Sequence, residues 1–426
     1  MKENSLVPSN EIWYTAVDGE RIRWDDIFMV SNTYYEGKGV IVFDEPIVDI
    51  GEDAFRDCTN LREVVIPSSV TEIGASAFSG CTSLREVVIP SSVTEIGASA
   101  FSGCTSLREV VIPSNVTEIG ESAFSGCTSL RKVVISKGVT STGNCSFSRC
   151  SSLQKVVIPS SLTEIGDFAF SGCASLCEVV IPEGVTKIRF GAFSECTSLQ
   201  KVVLPMGVTE IGIRAFEDCT ALQDIVLPST LTEFGFNVFE RCASLRKVVI
   251  SEGVTEIWRE AFDSCYDLQE VVIPSSVTSI AEDAFKECTG LQKIVIPSSV
   301  TSIGPGAFCR CTGLKKIVIP SSVTEIGASA FCCCTGLEEV VICKGLKKIG
   351  LGAFADCSSL QIVHLPAGVS EFEFMCISIP FDGCDNLKAI YVPENEVDFY
   401  KERFSADMHW LIVEEGSELP VKPSQK

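Results

Sequence analysis

LREVVIPSSVTEIGASAFSGCTS, Leu61–Ser83, is followed at once by the same 23 residues, Leu84–Ser106. Within the second copy, Leu84, Val87 and Ile89 form an L-x-x-V-x-I segment that stops at Pro90. β-Branched residues suit strands, and proline, with no N–H to donate, ends one. Val93 and Ile96 mark a shorter extended piece, V-T-E-I, closed by Gly97. Ala100, Phe101 and Cys104 then carry the chain through a turn to Leu107, where the pattern restarts.

The period holds far beyond these two copies. Fourteen cysteines, from Cys58 to Cys357, stand 23 residues apart, and Cys384 follows a four-residue insertion near residues 372–380. Each has a phenylalanine three residues before it, from Phe55 to Phe381. A fixed period of this length marks a solenoid, whose coils bury their apolar residues only by stacking on one another. With stacked strands ~4.8 Å apart, some fifteen coils would span about 70 Å. The proline recurs in eleven of fourteen copies and the glycine in ten. Arg189, Trp258, Ala281 and Glu373 replace that glycine, so the position does not demand a positive φ. The expected organisation is an N-terminal cap over residues 1–37, a repeat array over 38–385, a C-terminal cap over 386–415 and a flexible tail over 416–426. Gly39–Phe55 reads as a degenerate first coil, and the whole as one elongated domain.

Composition narrows the function. The 426 residues carry a net charge of −22, with 56 acids against 34 bases. Nucleic acid and anionic membrane surfaces both attract basic proteins, so neither is an expected partner. No stretch approaches the roughly 18 apolar residues of a membrane helix. The first twenty residues hold no apolar run of signal-peptide length, which predicts a cytoplasmic chain. Only two histidines occur, His364 and His409, and no P-loop, G-x-S-x-G or H-E-x-x-H motif is present. Catalysis needs unlike residues converging on a point, whereas a repeat offers like residues along a line. No enzyme activity and no cofactor are expected, and His364 reads as structural.

The pattern L-x-x-V-x-I-P…V-x-x-I-G-x-x-A-F-x-x-C-x-x-L over residues 40 to about 405 resembles the BspA-like leucine-rich repeats of bacteria and protists. The closing segment Asn386–Phe404 also matches. The resemblance implies a β-rich, right-handed superhelix with a parallel sheet on its concave side and capped ends. It also implies protein binding, often attachment at a cell surface reached by a non-classical route. An intracellular scaffold for the cell's own proteins and a repetitive surface antigen are the alternatives.

Twenty-two cysteines need an account. Equivalent Cβ atoms in stacked coils stay about 4.8 Å apart, wider than the ~3.8 Å of a disulfide. Parallel thiols along a line do not converge on a metal. The ladder cysteines are therefore expected inside, as small apolar residues with a weak donor. Seven others lie off the ladder: Cys145, Cys177, Cys309, Cys332, Cys333, Cys343 and Cys376. Cys309 should stack beside Cys332, so Cys309, Cys332 and Cys333 form the one thiol cluster that could bind metal or oxidise. Drift at tolerant turn positions is the plainer reading, and no histidine is near.

The residue between the last two apolar positions of L-x-x-V-x-I should point outward. In thirteen successive coils it is valine: Val65, Val88, Val111, Val134, Val157, Val180, Val203, Val226, Val249, Val272, Val295, Val318 and Val341. His364 and Tyr391 continue the row. Either valine simply suits strands, or the row is the apolar floor of a binding surface. At the two positions after each repeat leucine, bases outnumber acids by five, with Arg108, Arg131, Lys155 and Lys201 among them. The V-T-E-I pieces instead carry nine glutamates, from Glu72 to Glu371. The partner that fits the valine side is a protein, host or self, presenting an extended or acidic segment.

Overall fold

A computed structural model describes residues 7–22, 29–372 and 380–420. The chain is a parallel-strand β-solenoid with almost no helix, and it forms two compact units, Met1–Leu222 and Gln223–Lys426. A single elongated domain is what the unbroken period predicts. The division falls inside the array because a solenoid coil touches only its neighbours, so compactness does not extend along the stack.

Within each unit successive coils join through three hydrogen-bond ladders, the first of them interrupted in places. The first uses the L-x-x-V-x-I strands, as where Lys132–Ile135 pairs in parallel with Glu109–Ile112, residue for residue at 23. The second uses two-residue strands such as Glu72–Ile73 and Glu95–Ile96. It is reinforced by threonine: the Thr94 N–H and its Oγ1 both donate to the Thr71 carbonyl, at 2.8 and 3.2 Å. The third runs through the turn. Ser76, Phe78 and Gly80 donate their N–H groups to the carbonyls of Ala98, Ala100 and Ser102 at 2.7–2.8 Å. Alternate N–H groups can point to the next coil because the backbone turns left-handed at Ser76 (φ 53°) and again at Gly80 (φ 72°). Most later coils place a non-glycine residue at one or both of these positions, Cys145 and Arg149 among them. The V-T-E-I glycine is absent from the positive-φ residues, as expected. Its constraint is proximity, since a Cβ on Gly97 would stand 2.6 Å from the Ala75 nitrogen.

Phenylalanine and cysteine fill the turn's interior. In the first unit the rings from Phe55 to Phe216 form one face-to-face column, with centroids 4.8–5.4 Å apart and planes within 8°. In the second, the rings from Phe239 to Phe381 do the same at 5.1–5.7 Å. From Cys81 to Cys219 and from Cys265 to Cys384, each ladder thiol donates to the carbonyl of the phenylalanine one coil back, as Cys81 to Phe55 at 3.0 Å and Cys265 to Phe239 at 3.3 Å. Among the described residues every cysteine is a free thiol; Cys376 lies outside them.

The ends close differently from the coils. Strands β1 (Glu11–Ala16), β2 (Met29–Tyr35) and β3 (Lys38–Phe43) form an antiparallel group, and β1 pairs antiparallel with Leu61–Val65. The degenerate-coil pattern over Gly39–Phe55 thus splits. Its first strand joins the antiparallel group, because the consecutive β-branched residues Val40, Ile41 and Val42 suit a hairpin strand as well as a coil. Only Asp49–Ile50 onward enters the parallel array. At the other end, Ala389–Val392 pairs in parallel with Ile412–Glu414, around the short helix α1 (Val397–Lys401). The insertion after Phe372 lies outside the described residues, and so does the tail beyond Pro420.

Candidate functional site

The outward row is where its spacing places it. No valine of the thirteen is buried, and eight are exposed, from Val157 at 40% to Val295 at 76%. In the first unit the row runs from Val65 to Val203, and Trp13 of β1 stands opposite Val65. The Lys38 ammonium sits 3.3 Å from the centre of that indole. Trp13, Thr15, Lys38, Glu63 and Val65 line a shallow hollow there. In the second unit the row passes in register from Val318 and Val341 to His364 and Tyr391, whose rings stack at 5.1 Å. Glu415 holds the His364 Nδ1 at 3.1 Å, which is a structural use of this histidine.

Charge beside the row is distributed less simply than residue counts imply. Lys201 pairs with Glu178 at 2.9 Å, one coil back, so this candidate is not a free cation. Lys132, Lys247, Lys315 and Lys316 are likewise paired with acids one coil away. Opposite charges at the same position in adjacent coils lie within reach, and a residue total cannot show that. Exposed pairs of this kind contribute only about 0–1 kcal/mol each. Arg108, Arg131 and Lys155 are exposed and form no ion pair among the described residues. Arg62 and Arg85 share the position of Arg108 and Arg131 in the two preceding coils, and they too are exposed without an ion pair. Backbone bonds hold these residues in two pairs, Arg85 N–H donating to Arg62 O at 2.9 Å and Arg131 N–H to Arg108 O at 2.7 Å.

The glutamate column of the short strands also divides. Glu164 and Glu210 are clamped by Arg189, and Lys187 adds a second bond to Glu210 at 2.9 Å. These cations hold the Glu210 carboxyl below its ordinary range. Glu72, Glu95 and Glu118 are exposed and unpaired by ions among the described residues.

The third candidate is the thiol group. Cys332 and Cys333 bring their sulfurs to 3.4 Å, and Asp356 approaches the Cys333 sulfur at 3.9 Å. Cys309 lies one coil earlier in the column of Cys332 and is half-buried like it. Asp356 is absent from the sequence-level candidates; a period of 23 from Cys333 points straight to it.

A family model for the BspA type leucine rich repeat region matches residues 39–154, 143–269 and 255–388. The chain belongs to the BspA-type leucine-rich repeat family. No curated protein sequence matches it significantly. A leucine-rich repeat protein from Bacteroides ovatus is 31% identical over 82% of this chain and 91% of its own, with a TM-score of 0.70. A leucine rich cell surface protein from Faecalibacterium prausnitzii is 30% identical over 84% of this chain and 97% of its own, with a TM-score of 0.46. For this BspA-type repeat, no helix among the described residues is long and apolar enough to cross a membrane.

Proposed function

We propose that this BspA-type repeat is a non-enzymatic scaffold that binds an extended acidic protein segment along its outward valine row, as an adhesion or interaction module. The observation that carries the reading is a valine row that is nowhere buried, eight of its thirteen residues exposed, which runs past Arg62, Arg85, Arg108 and Arg131, arginines that form no ion pair among the described residues, in a chain of net charge −22. Four unpaired arginines at the same position of successive coils make a basic stripe that attracts an anionic partner. The valines supply apolar contact that a solvated face does not need. Repeated equivalent contacts give avidity without any one strong site. Val111, Val134, Val157, Val180 and Val203 with Arg108, Arg131 and Lys155 form the surface in the first unit, and Trp13 ends it. Tyr391 ends the row of the second unit. The family's association with attachment supports display at the cell surface, which antibody staining of unpermeabilised cells tests.

Calorimetry with a peptide of alternating glutamate and valine tests the binding. The native chain should bind it, more weakly as salt rises. Changing Val157, Val180 and Val203 together to lysine should abolish binding with circular dichroism unchanged, and Arg108→Glu with Arg131→Glu should weaken it about tenfold or more. Equal binding by the native chain and both variants contradicts the proposal. No binding by any of them favours a repetitive antigen instead.

A further inference from the structure

We propose that Cys332, Cys333 and Asp356 form a binding site for one thiophilic divalent cation, of the zinc or cadmium class, which ties two successive coils together. One oxygen and two sulfurs lie within 4.8 Å of one another. A tetrahedral ion with bonds of about 2.3 Å to sulfur and 2.1 Å to oxygen needs S···S edges of about 3.8 Å and S···O edges of about 3.6 Å. Two of the three edges are 3.4 Å between the sulfurs and 3.9 Å from the Cys333 sulfur to the Asp356 oxygen, and the third, from the Cys332 sulfur to Asp356, is within 4.8 Å. Side-chain adjustments of a few tenths of an ångström close the first two. Thiolates with a carboxylate select soft or borderline cations over magnesium and calcium.

The backbone under these ligands is held by the turn ladder. Arg310 N–H donates to Cys332 O at 2.7 Å, and Cys333 N–H donates to Ala355 O at 2.8 Å. Cys333 occupies the left-handed position at φ 57°, where the first coils carry glycine, and that conformation aims its side chain along the column toward Asp356. Of the charges facing the group, the Arg310 guanidinium is taken by Glu287 at 2.7 Å, which limits its repulsion of a cation. Cys309 lies beside the group in the preceding coil, with Asp283 and Lys286 as its own charged neighbours. Cysteine binds metal as the thiolate, so loading the site at neutral pH releases protons.

The repeat itself supplies the control. Changing Cys332 to serine and Cys333 to glycine turns F-C-C-C into the F-S-G-C of Phe78–Cys81, a sequence this fold already accommodates. The reduced full chain is titrated with cobalt(II) without oxygen, and zinc is then used to displace it. One equivalent should give a sulfur-to-cobalt charge-transfer band with tetrahedral visible bands, and zinc should abolish both. The Cys332→Ser, Cys333→Gly variant should lose the band and bind zinc about a hundredfold more weakly or worse. Asp356→Asn should keep the band with weaker binding, and Cys177→Ser should match the native chain. No charge-transfer band at stoichiometric cobalt overturns the proposal, and so does a band that survives in the double variant.

Discussion

The turn column and the long-strand face of the same coils behave differently. Within each unit the phenylalanine rings stack without interruption and the thiols bond from coil to coil. The longer strands, the more regular-looking part of the repeat, do not pair throughout. In the first unit their sheet breaks between Glu86–Val88 and Glu109–Ile112, and again between Lys155–Val157 and Glu178–Val180. In the second unit it stops after Glu270–Val272, and the next coil has no long strand at all. Val156 and Ile158, inward by pattern, are half-buried at one of these breaks, whereas Val133 and Ile135 one coil earlier are buried. Sequence does not explain the first break. LREVVIP occurs identically at Leu61 and Leu84, yet forms a five-residue strand in one place and a three-residue strand in the other. Place in the stack decides the pairing of the strands, while the turn keeps the register.

Alkali attacks the thiols of the turn column and should have the largest effect. An unfolded thiol ionises above about pH 8.5, whereas burial holds folded thiols protonated to about 11 at Cys58 and about 12 at Cys196. The unfolded state therefore sheds protons that the folded state keeps. Stability is full below about pH 8.5 and falls as pH rises toward the folded values, by up to about 1.4 kcal/mol per pH unit for each thiol. Denaturant midpoints from pH 7 to 10 measure this, and a flat profile breaks the comparison.

Phe124→Ala should cost about 3–5 kcal/mol, by opening a cavity in a ring column with neighbours on both sides. Val111→Ala on the outward row should cost under about 0.5 kcal/mol. Urea unfolding of both variants compares them directly, and similar costs would erase the distinction between column and face.

The short strands sharpen the same point. In the first unit their pairing is unbroken from Asp49–Ile50 to Glu210–Ile211. In the second it holds from Glu256–Ile257 to Glu371–Phe372, but Glu233–Phe234 is outside that sheet. There the Trp258 indole, in the usual place of glycine, stacks on Phe234 at 4.1 Å. Restoring the common residues with Phe234→Ile and Trp258→Gly should close the ladder and slow amide exchange at Glu256 and Ile257 about tenfold. Unchanged exchange would show that the ring pair is not the cause. The smallest effect belongs to the threonine ladder, where Thr163→Val removes the bond from Oγ1 to Thr140 O at 3.1 Å. About 0.5 kcal/mol should be lost by thermal unfolding, since a partly solvated hydrogen bond contributes little.

The fold was legible because a period of 23 places every equivalent residue over its predecessor. Phe101, Cys104 and Val111 could all be placed from that one number. What stayed hidden depends on relations between coils rather than on the pattern within one. Lys201 reads as a free cation until Glu178, one period earlier, is set beside it. Asp356 reads as a surface acid until Cys333 is placed in the same column. The division at Leu222 and the breaks in the long-strand face have no local sequence mark.

Thiol labelling under native conditions tests the central idea, that an interior column of rings and sulfurs carries this structure. Mass spectrometry after a short pulse of alkylating reagent should find the exposed Cys177 modified at once. Cys81, Cys104 and Cys265 should remain protected until denaturant unfolds the unit that holds them, and then react together. Interior cysteines that react as fast as Cys177, or that are recovered as disulfides from the folded chain, would contradict it.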